Sequence, residues 1–313
     1  CKSCMAWCVL VGVLLFFHGT ILRQIVRGLA IHLDSKENLK LDFQIEGSFL
    51  GSLVLKNVHA TATGPSAVES IDADFVRVDY SIFGLIFHGL PAFLQDAELR
   101  SASVVLDPRK SSPPKPPQPN EKISLPAIFP NQVHLANVNL TIRDQPQNLV
   151  LRNLNLDLDP RREGALKIDQ LQIPDLHNWT NVSATTSYAN KNLFLRNLTF
   201  DEGHHFQTIN IDLSKAGGGK VELKVTGEVG GGKIEGNVGL SATKSSFNAT
   251  TKVNASGISL GALSEYFGRP AGALAGDVKN FQMEWKGALD TPQAWSGTSA
   301  AQVDKVGQDG LAA

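Results

Sequence analysis

Apolar residues recur at every second position through most of this chain after residue 34, which is the period of a β-strand that buries one face. Clusters of Gly, Asn and Asp separate the alternating runs, as turns separate strands. Only 81–94 and 260–267 are typical of short helices. The pattern therefore predicts a mainly β fold with one or two short helices. The clearest alternating runs are 39–45, 53–55, 76–80, 138–142, 166–168, 209–213 and 221–225.

The alternation changes phase within several runs, and residues 148–159, NLVLRNLNLDLD, show the change most clearly. Leu149 and Leu151 share one phase, whereas the three leucines after Asn153 share the other. The slip has the form apolar-any-amide-apolar, and Asn tolerates the positive φ that many bulges require. We therefore expect a structural β-bulge at each slip, which keeps the apolar residues on one face. The positions are Asn57, Asn137, Asn153, Asn197 and Asn280, and Gln170 stands in a related segment.

One phase of the alternation is expected to line an apolar face. Two arrangements satisfy the pattern: two sheets bury their faces together in a sandwich or closed β-helix, or one elongated, curved antiparallel sheet forms an open groove. An open apolar face of that size needs a ligand. An acyl chain suits it, because about 14 buried methylenes would contribute at most about 11 kcal/mol. The predicted lining residues are Leu149, Leu151, Leu154, Leu156, Leu158, Val138, Leu140 and Ile142.

The first 33 residues are predicted to form a transmembrane anchor. Residues 5–22 carry no formal charge over 18 positions, about the minimum for a spanning helix, and apolar residues continue to Leu33. A cleaved signal peptide or a buried helix would give a similar pattern. Lys2 precedes the run while Arg23 and Arg27 follow it, so the visible charges alone place the bulk of the chain in the cytoplasm. We also expect the chain to be a fragment of a longer protein.

A proline-rich stretch divides the rest of the chain. Six of the twelve residues from 108 to 119 are prolines, and such a run cannot join a β ladder. We expect an extended linker over 108–120. It would separate an anchor-proximal β region, 34–107, from an elongated β-groove region, 121–313.

Charge and glycine patterns exclude two classes of function. The net charge is -1 and no basic patch is interleaved with aromatic residues, so nucleic acid is not an expected partner. The glycine-rich segments 217–220 and 230–233 lack the spacing of a phosphate-binding loop, and we expect hairpin turns there. No other catalytic signature is present, and no enzyme activity is expected.

Candidate metal ligands are few. Cys1, Cys4 and Cys8 are the only cysteines of the sequence, and the second spaced pair of a zinc site does not follow them. His204 and His205 adjoin each other, but the sequence predicts no carboxylate or cysteine cluster around them. We therefore expect neither a metal nor a cofactor.

Two long segments resemble the N-terminal region of a known family. Residues 47–58, GSFLGSLVLKNV, have the form of a strand pair that follows a membrane helix. Residues 71–89, IDADFVRVDYSIFGLIFHG, have the form of a strand that ends in an aromatic residue and leads into a small apolar helix. Residues 99–107 match the next strand, and 272–278 and 287–297 resemble later repeats. On these segments the chain resembles the AsmA-like family, which includes the TamB translocation-and-assembly proteins.

The resemblance implies a bacterial inner-membrane protein with one membrane pass and its bulk in the periplasm. An apolar β-groove would carry membrane phospholipid toward the outer membrane, as in the architecturally related bridge-like lipid transfer proteins. Alternatively, the chain would act in outer-membrane biogenesis as an assembly factor whose sheet edge pairs with an outer-membrane β-barrel protein. A third interpretation is a structural or adhesive β-array without a lipid role. The visible charge bias runs against the orientation of the family.

Overall fold

The structure is a computed structural model. The predicted membrane anchor, 1–33, lies outside the residues that it describes, as does most of the predicted linker. Within the described ranges, no helix is long and apolar enough to cross a membrane. The described residues are 38–48, 51–88, 93–110, 130–143, 147–174, 177–201, 204–216, 219–243, 246–266, 275–288 and 295–307.

The described residues are mainly β with two short helices, as the alternation predicts. Apolar and β-branched residues at every second position favour extended backbone, because they pack well on a pleated surface. The helices are α1 (Ile82–His88) and α2 (Leu260–Tyr266), and Pro108–Lys110 forms a 3-10 turn. The strands are β1 (Leu39–Ser48), β2 (Ser52–Ala62), β3 (Val68–Tyr80), β4 (Leu94–Leu106), β5 (Gln132–Ile142), β6 (Leu149–Leu158), β7 (Gly164–Ile173), β8 (His177–Ala189), β9 (Asn192–Asp201), β10 (His204–Asp212), β11 (Lys220–Val229), β12 (Gly232–Thr243), β13 (Ser246–Ser256), β14 (Ile258–Ser259), β15 (Ala275–Ala288) and β16 (Ser296–Gly307).

The chain divides into two compact units. The first unit contains Cys1–Pro113 and Ile128–Asn155, and the second contains Pro114–Ala127 and Leu156–Ala313, so the division falls inside β6. In the first unit, β1 to β6 are hydrogen-bonded in order of sequence. In the second unit the order from β6 to β13 is also sequential, and β15 follows, with β14 and β16 paired to it.

One strand pair departs from the predicted antiparallel sheet. Strands β4 and β5 are parallel, with Ala97 opposite Val133 and Leu106 opposite Ile142. The connection between these strands contains the proline-rich stretch, and it is long enough to return the chain to the end at which β4 begins. The strand that follows this stretch thus pairs with the strand that precedes it, within the first unit.

Helix α2 packs on one face of the second unit. The Ser259 hydroxyl accepts the main-chain N–H of Ala262 at 3.3 Å and so caps the first turn. Leu260 and Leu263 then lie against a buried cluster formed by Ala255, Ile258 and Val278.

Candidate functional site

Strand register assembles the apolar residues of β2 to β5 into rows that cross the sheet. Leu55 of β2 lies opposite Val76 of β3, and Val76 lies opposite Leu99 of β4. The parallel pair adds Leu135 of β5 to the same row. We call these rows together the apolar face of the first unit. The other rows are Leu53–Val78–Ala97–Val133, Val58–Ala73–Ala102–Val138 and Ala60–Ile71–Val104–Leu140.

The phase slip crosses these four strands as one aligned row. Two residues, rather than the usual one, separate the row of Leu55 from the row of Val58 on every strand. Because all four strands carry the same excess at the same place, the pairing of neighbouring strands continues on both sides of it. We call this row the crease, and its residues are Asn57, Asp74, Ser101 and Asn137.

A bulge in the ordinary sense occurs where the crease meets β1. Asp42 pairs with His59 and Gln44 pairs with Lys56, so β2 carries one more residue than β1 at this point. Asn57 therefore belongs to a bulge on its β1 side and to the crease on its β3 side. Asn137 belongs to the crease through its pairing with β4.

Three of the four crease residues, and Asn153 on the neighbouring strand, have positive φ, whereas Asp74 does not. The φ angles are 51° at Asn57, 50° at Ser101 and 55° at Asn137, and Asn153 on β6 has 52°. Left-handed backbone costs roughly 1–2 kcal/mol for an ordinary residue and least for Gly and Asn. Asparagine therefore suits three of these positions, whereas serine at 101 is less suitable.

Side-chain amides satisfy the main chain at the junction of β5 and β6. Asn155 Oδ1 accepts the main-chain N–H of Asn137 at 3.1 Å, and Asn139 Oδ1 accepts the N–H of Asn153 at 3.0 Å. Asn155 Nδ2 also donates to the main-chain carbonyl of Asn153 at 3.0 Å. Both positive-φ asparagines thus keep an acceptor for the main-chain N–H.

Several of these residues were not among the predicted bulge positions. Asn139 and Asn155 each stand two positions after a slip asparagine, and the repeated Asn-x-Asn is visible in the sequence. Asn181 has a φ of 58° and fits the same pattern after Trp179. Asn181 of β8 lies opposite Asp169 of β7, between the pairs Ile168–Val182 and Gln170–Thr180. The phase slip of the related segment at Gln170 is therefore present on both β7 and β8.

The remaining two slip asparagines differ from each other. Asn197 has a φ of 51°, and β9 carries one more residue than β8 between the pairs that flank it. At Asn280 the register between β15 and β16 shifts after Val278, but Asn280 is not among the described residues with positive φ.

Large side chains of the apolar face are half-buried. Ala73, Ala102 and Val138 form a small buried cluster beside the crease. A side chain that remains half-buried between two strand neighbours has its outer surface open to solvent. The residues that pack around the cluster come from both sides of the crease, so the apolar face continues across it. They are Val58, Val76, Leu99, Leu135 and Leu154, all partly buried.

The predicted lining residues fall on β5 and β6. Val138 and Leu140 occupy successive rows of the apolar face, and Ile142 pairs with Leu106 beyond them. Val138 and Leu158 are buried, whereas the other six are half-buried. The division between the units separates Leu149, Leu151 and Leu154 from Leu156 and Leu158.

The described elements within each unit form a single layer over most of the sheet. Within the described elements, extensive contacts join strands that are neighbours in the sheet. The one described helix with several contacts to a strand is α2, which packs against β15. The largest fully buried side chains in the described residues are Val182 and Thr186. A sandwich would bury many leucine and isoleucine side chains to that degree.

Charged residues occupy the opposite side of β3 and β4. Arg77 Nη2 donates to Asp96 Oδ2 at 2.9 Å, and the carboxylates of Asp79 and Glu98 approach the same guanidinium to 3.3 and 3.4 Å. The hydrogen bond to Asp96, with the charges of the other two carboxylates, raises the pKa of Arg77. The first unit thus has one apolar and one charged face.

Two turns with the sequence Leu-Asp-Pro-Arg end β4 and β6, and this repeat was not among the predicted features. Asp107 Oδ1 accepts the main-chain N–H of Arg109 at 3.2 Å and its Nε at 2.8 Å. Asp159 Oδ1 accepts the same two donors of Arg161 at 2.9 and 3.1 Å. The hydrogen bond from the arginine side chain is the main cause that lowers the pKa of each aspartate.

One groove of the second unit crosses its last strands, and the side chains of its walls are mainly polar or charged. It has a volume of about 560 Å³ and crosses β11, β12, β13, β15 and β16. A middle row that begins at Leu223 and Val238 forms its floor, and the side chains of that row alternate with those of the walls. The walls of the groove are the rows Glu222–Gly239–Thr250–Lys286–Ser296 and Lys224–Asn237–Lys252–Glu284–Thr298.

Among the residues that the structure describes, no group of three or more His, Cys, Asp and Glu side chains is placed to hold a metal ion. Comparison of the chain with protein-family models, with curated proteins and with solved structures finds no match.

Proposed function

We propose that this chain is a membrane-anchored protein that binds the acyl chains of phospholipid on the apolar face of its first unit, and that it moves phospholipid in outer-membrane biogenesis. The observation that carries the proposal is the open, half-buried condition of Val76, Leu99 and Leu135 beside the crease. The apolar run 5–22 and the resemblance to the AsmA-like family support a bacterial inner-membrane location with the bulk in the periplasm.

Acyl chains suit this face because it offers aliphatic contact without a hydrogen-bonding requirement. Its rows contain Val, Leu, Ile and Ala, and the strand ladders already pair the main-chain groups beneath them. Each methylene that leaves water on such a surface contributes about 0.8 kcal/mol. The charges of Arg77 and its carboxylate partners lie on the other face, so the headgroup is expected to remain in water.

Movement along the face requires no chemical step. Neighbouring strands are about 4.8 Å apart, and each presents apolar side chains of the same kind in the same rows. An acyl chain that slides by one strand therefore exchanges its contacts for equivalent ones.

Photo-crosslinking at two adjacent residues of β6 tests the proposal. Leu151 belongs to the apolar phase and is half-buried, whereas Arg152 is exposed and points to the opposite face. We expect p-benzoylphenylalanine at Leu151, in the full chain expressed in a bacterial envelope, to form phospholipid adducts. The same group at Arg152 is the matched control and should form few, with both products measured by mass spectrometry. Equal adduct yields at the two positions, or none at Leu151 in a folded chain, would contradict the proposal.

A second candidate function rests on the edge of the sheet. Among the described strands, β16 pairs only with β15, so its second edge presents main-chain donors and acceptors. This observation favours an assembly role in which an outer-membrane β-barrel strand pairs with β16. The same photoreactive group at Ala300 would then give a protein adduct instead of a lipid adduct.

A further inference from the structure

Helix α1 exposes two large aromatic side chains. Phe83 is 71% exposed and Phe87 is 73% exposed, which is far more than any strand residue of the apolar face. Residues four apart on a helix lie on the same side, so the two rings form one apolar surface. No charged residue occurs from 81 to 94. Such a surface needs a covering of low polarity.

The start of α1 is fixed to the rest of the first unit. The Ser81 hydroxyl accepts the main-chain N–H of Gly84 at 2.8 Å, which caps the helix. Ser81 N–H donates to the carbonyl of Phe93 at 2.7 Å, and the ring of Phe93 lies 5.5 Å from that of Tyr80. The two exposed phenylalanines are therefore presented on a held helix rather than on a loose loop.

Strand β1 connects α1 to the predicted anchor. The Tyr80 hydroxyl donates to the carbonyl of Ser48 at 2.9 Å, so α1 begins beside the last residue of β1. The predicted anchor ends near Leu33, a few residues before β1 begins at Leu39. The ten residues of β1 span about 33 Å. The predicted anchor precedes the Leu39 end in the sequence, and α1 begins beside the Ser48 end.

We propose that α1 is a second membrane contact, whose Phe83 and Phe87 insert into the interface of a phospholipid bilayer. The inference rests on the anchor of the proposed function, because that anchor brings β1 to the membrane. A neutral helix with two phenylalanines on one side fits the boundary between headgroups and acyl chains. With a contact at each end, β1 lies along the bilayer surface, and the apolar face begins where lipid is available.

Depth-dependent fluorescence quenching tests this contact. Cys1, Cys4 and Cys8 are changed to Ser, and Phe87→Cys carries an NBD label in the full chain, reconstituted into vesicles of phosphatidylethanolamine and phosphatidylglycerol. We expect spin-labelled lipids to quench this label. The matched control is Thr250→Cys, an exposed position of the second unit, where the label should not be quenched. Phe83→Ser should weaken insertion of the labelled helix on the order of tenfold or more.

Three outcomes would overturn the inference. In vesicles that float with the chain bound, a label at residue 87 that lipid does not quench shows that α1 does not enter the bilayer. If the fluorescence shows that the label has moved into an apolar environment but lipid does not quench it, protein covers α1, either a second copy or residues 1–37. If the chain does not float with the vesicles, both the anchor and this contact are contradicted. Crosslinking at Leu151 decides the proposed lipid binding separately, so the two failures are distinguishable.

Discussion

The strands β2–β5 and β11–β13 reach an apolar face by different routes. In β11–β13 the alternation is uninterrupted, and no register shift occurs between their pairs. A two-residue turn at Gly230 and Gly231, with φ of 56° and 77°, joins β11 to β12, which confirms the predicted hairpin. In β2–β5 every strand slips by one residue, and the slips align as the crease.

This difference teaches that a phase slip has two structural meanings. An extra residue on one strand alone gives a bulge, as between β1 and β2. The same extra residue on every strand gives a crease, across which the pairing continues. The two cannot be distinguished within one strand, because the neighbouring strands decide which of them forms.

Valine in place of a slip asparagine should give the largest difference between the two regions. Asn153→Val places a β-branched residue at positive φ and removes the side-chain oxygen that accepts from Asn155 Nδ2. We expect a loss of about 2 kcal/mol in the free energy of unfolding. Asn237→Val is the matched control, because Asn237 lies exposed in the regular pairing of β12 and valine favours strands. Urea unfolding of the full chain in detergent measures both, and equal losses would contradict the crease as a site of special backbone.

Acid should weaken the strand ends of the creased region, and this effect is expected to be smaller. The pKa of Asp107 is lowered from its ordinary value of 3.8 by the hydrogen bond from Arg109. A carboxyl with a lowered folded pKa stabilises the fold above its unfolded pKa, and the contribution is lost as the pH falls through the folded value. The turn between β11 and β12 contains glycines and no carboxylate, so this contribution is absent from that turn.

We therefore expect the melting temperature of the chain to fall as the pH is lowered below about 4. Asp107→Asn and Asp159→Asn should lower the melting temperature at neutral pH and make it less sensitive to acid. Calorimetry over a pH series measures both. Variants that keep the full acid sensitivity of the natural chain would show that these two turns are not its source.

The smallest expected effect is that glycine substitutions in the two regions change the free energy of unfolding in opposite directions. Ser101→Gly should raise the free energy of unfolding by about 0.5 kcal/mol, since glycine adopts the φ of 50° without strain. Ser241→Gly, in the regular pairing of β12, should lower it by about 0.5–1 kcal/mol through lost backbone entropy. Circular dichroism during urea unfolding can compare them. A loss at both positions would mean that Ser101 has no strain to relieve.

The strands themselves were predictable because a period of two is a local signal. The same signal gave the predicted lining positions Val138, Leu140 and Ile142 their common face. Positive φ at Asn57, Asn137, Asn153 and Asn197 follows from the tolerance of asparagine for that conformation.

Other features depend on residues far apart in the sequence. The alignment of the crease requires the register of four strands, and the parallel pairing of β4 with β5 depends on the path of a long connection. Ser101 was not predicted, because the predicted form of the slip contains a side-chain amide and Leu99-Arg-Ser-Ala102 has none. Asn280 shows the converse, since an asparagine in the same pattern does not have positive φ there.

Because every strand of the crease carries its additional residue at the same row, new strands can be inserted into the sheet. A new hairpin whose two strands both carry the additional residue would fit between existing strands and leave the oily surface unbroken. A hairpin without it would place a step in that surface and interrupt any sliding molecule. The number of strands in the sheet can thus change during evolution by whole hairpins, provided that each inserted hairpin has the phase slip.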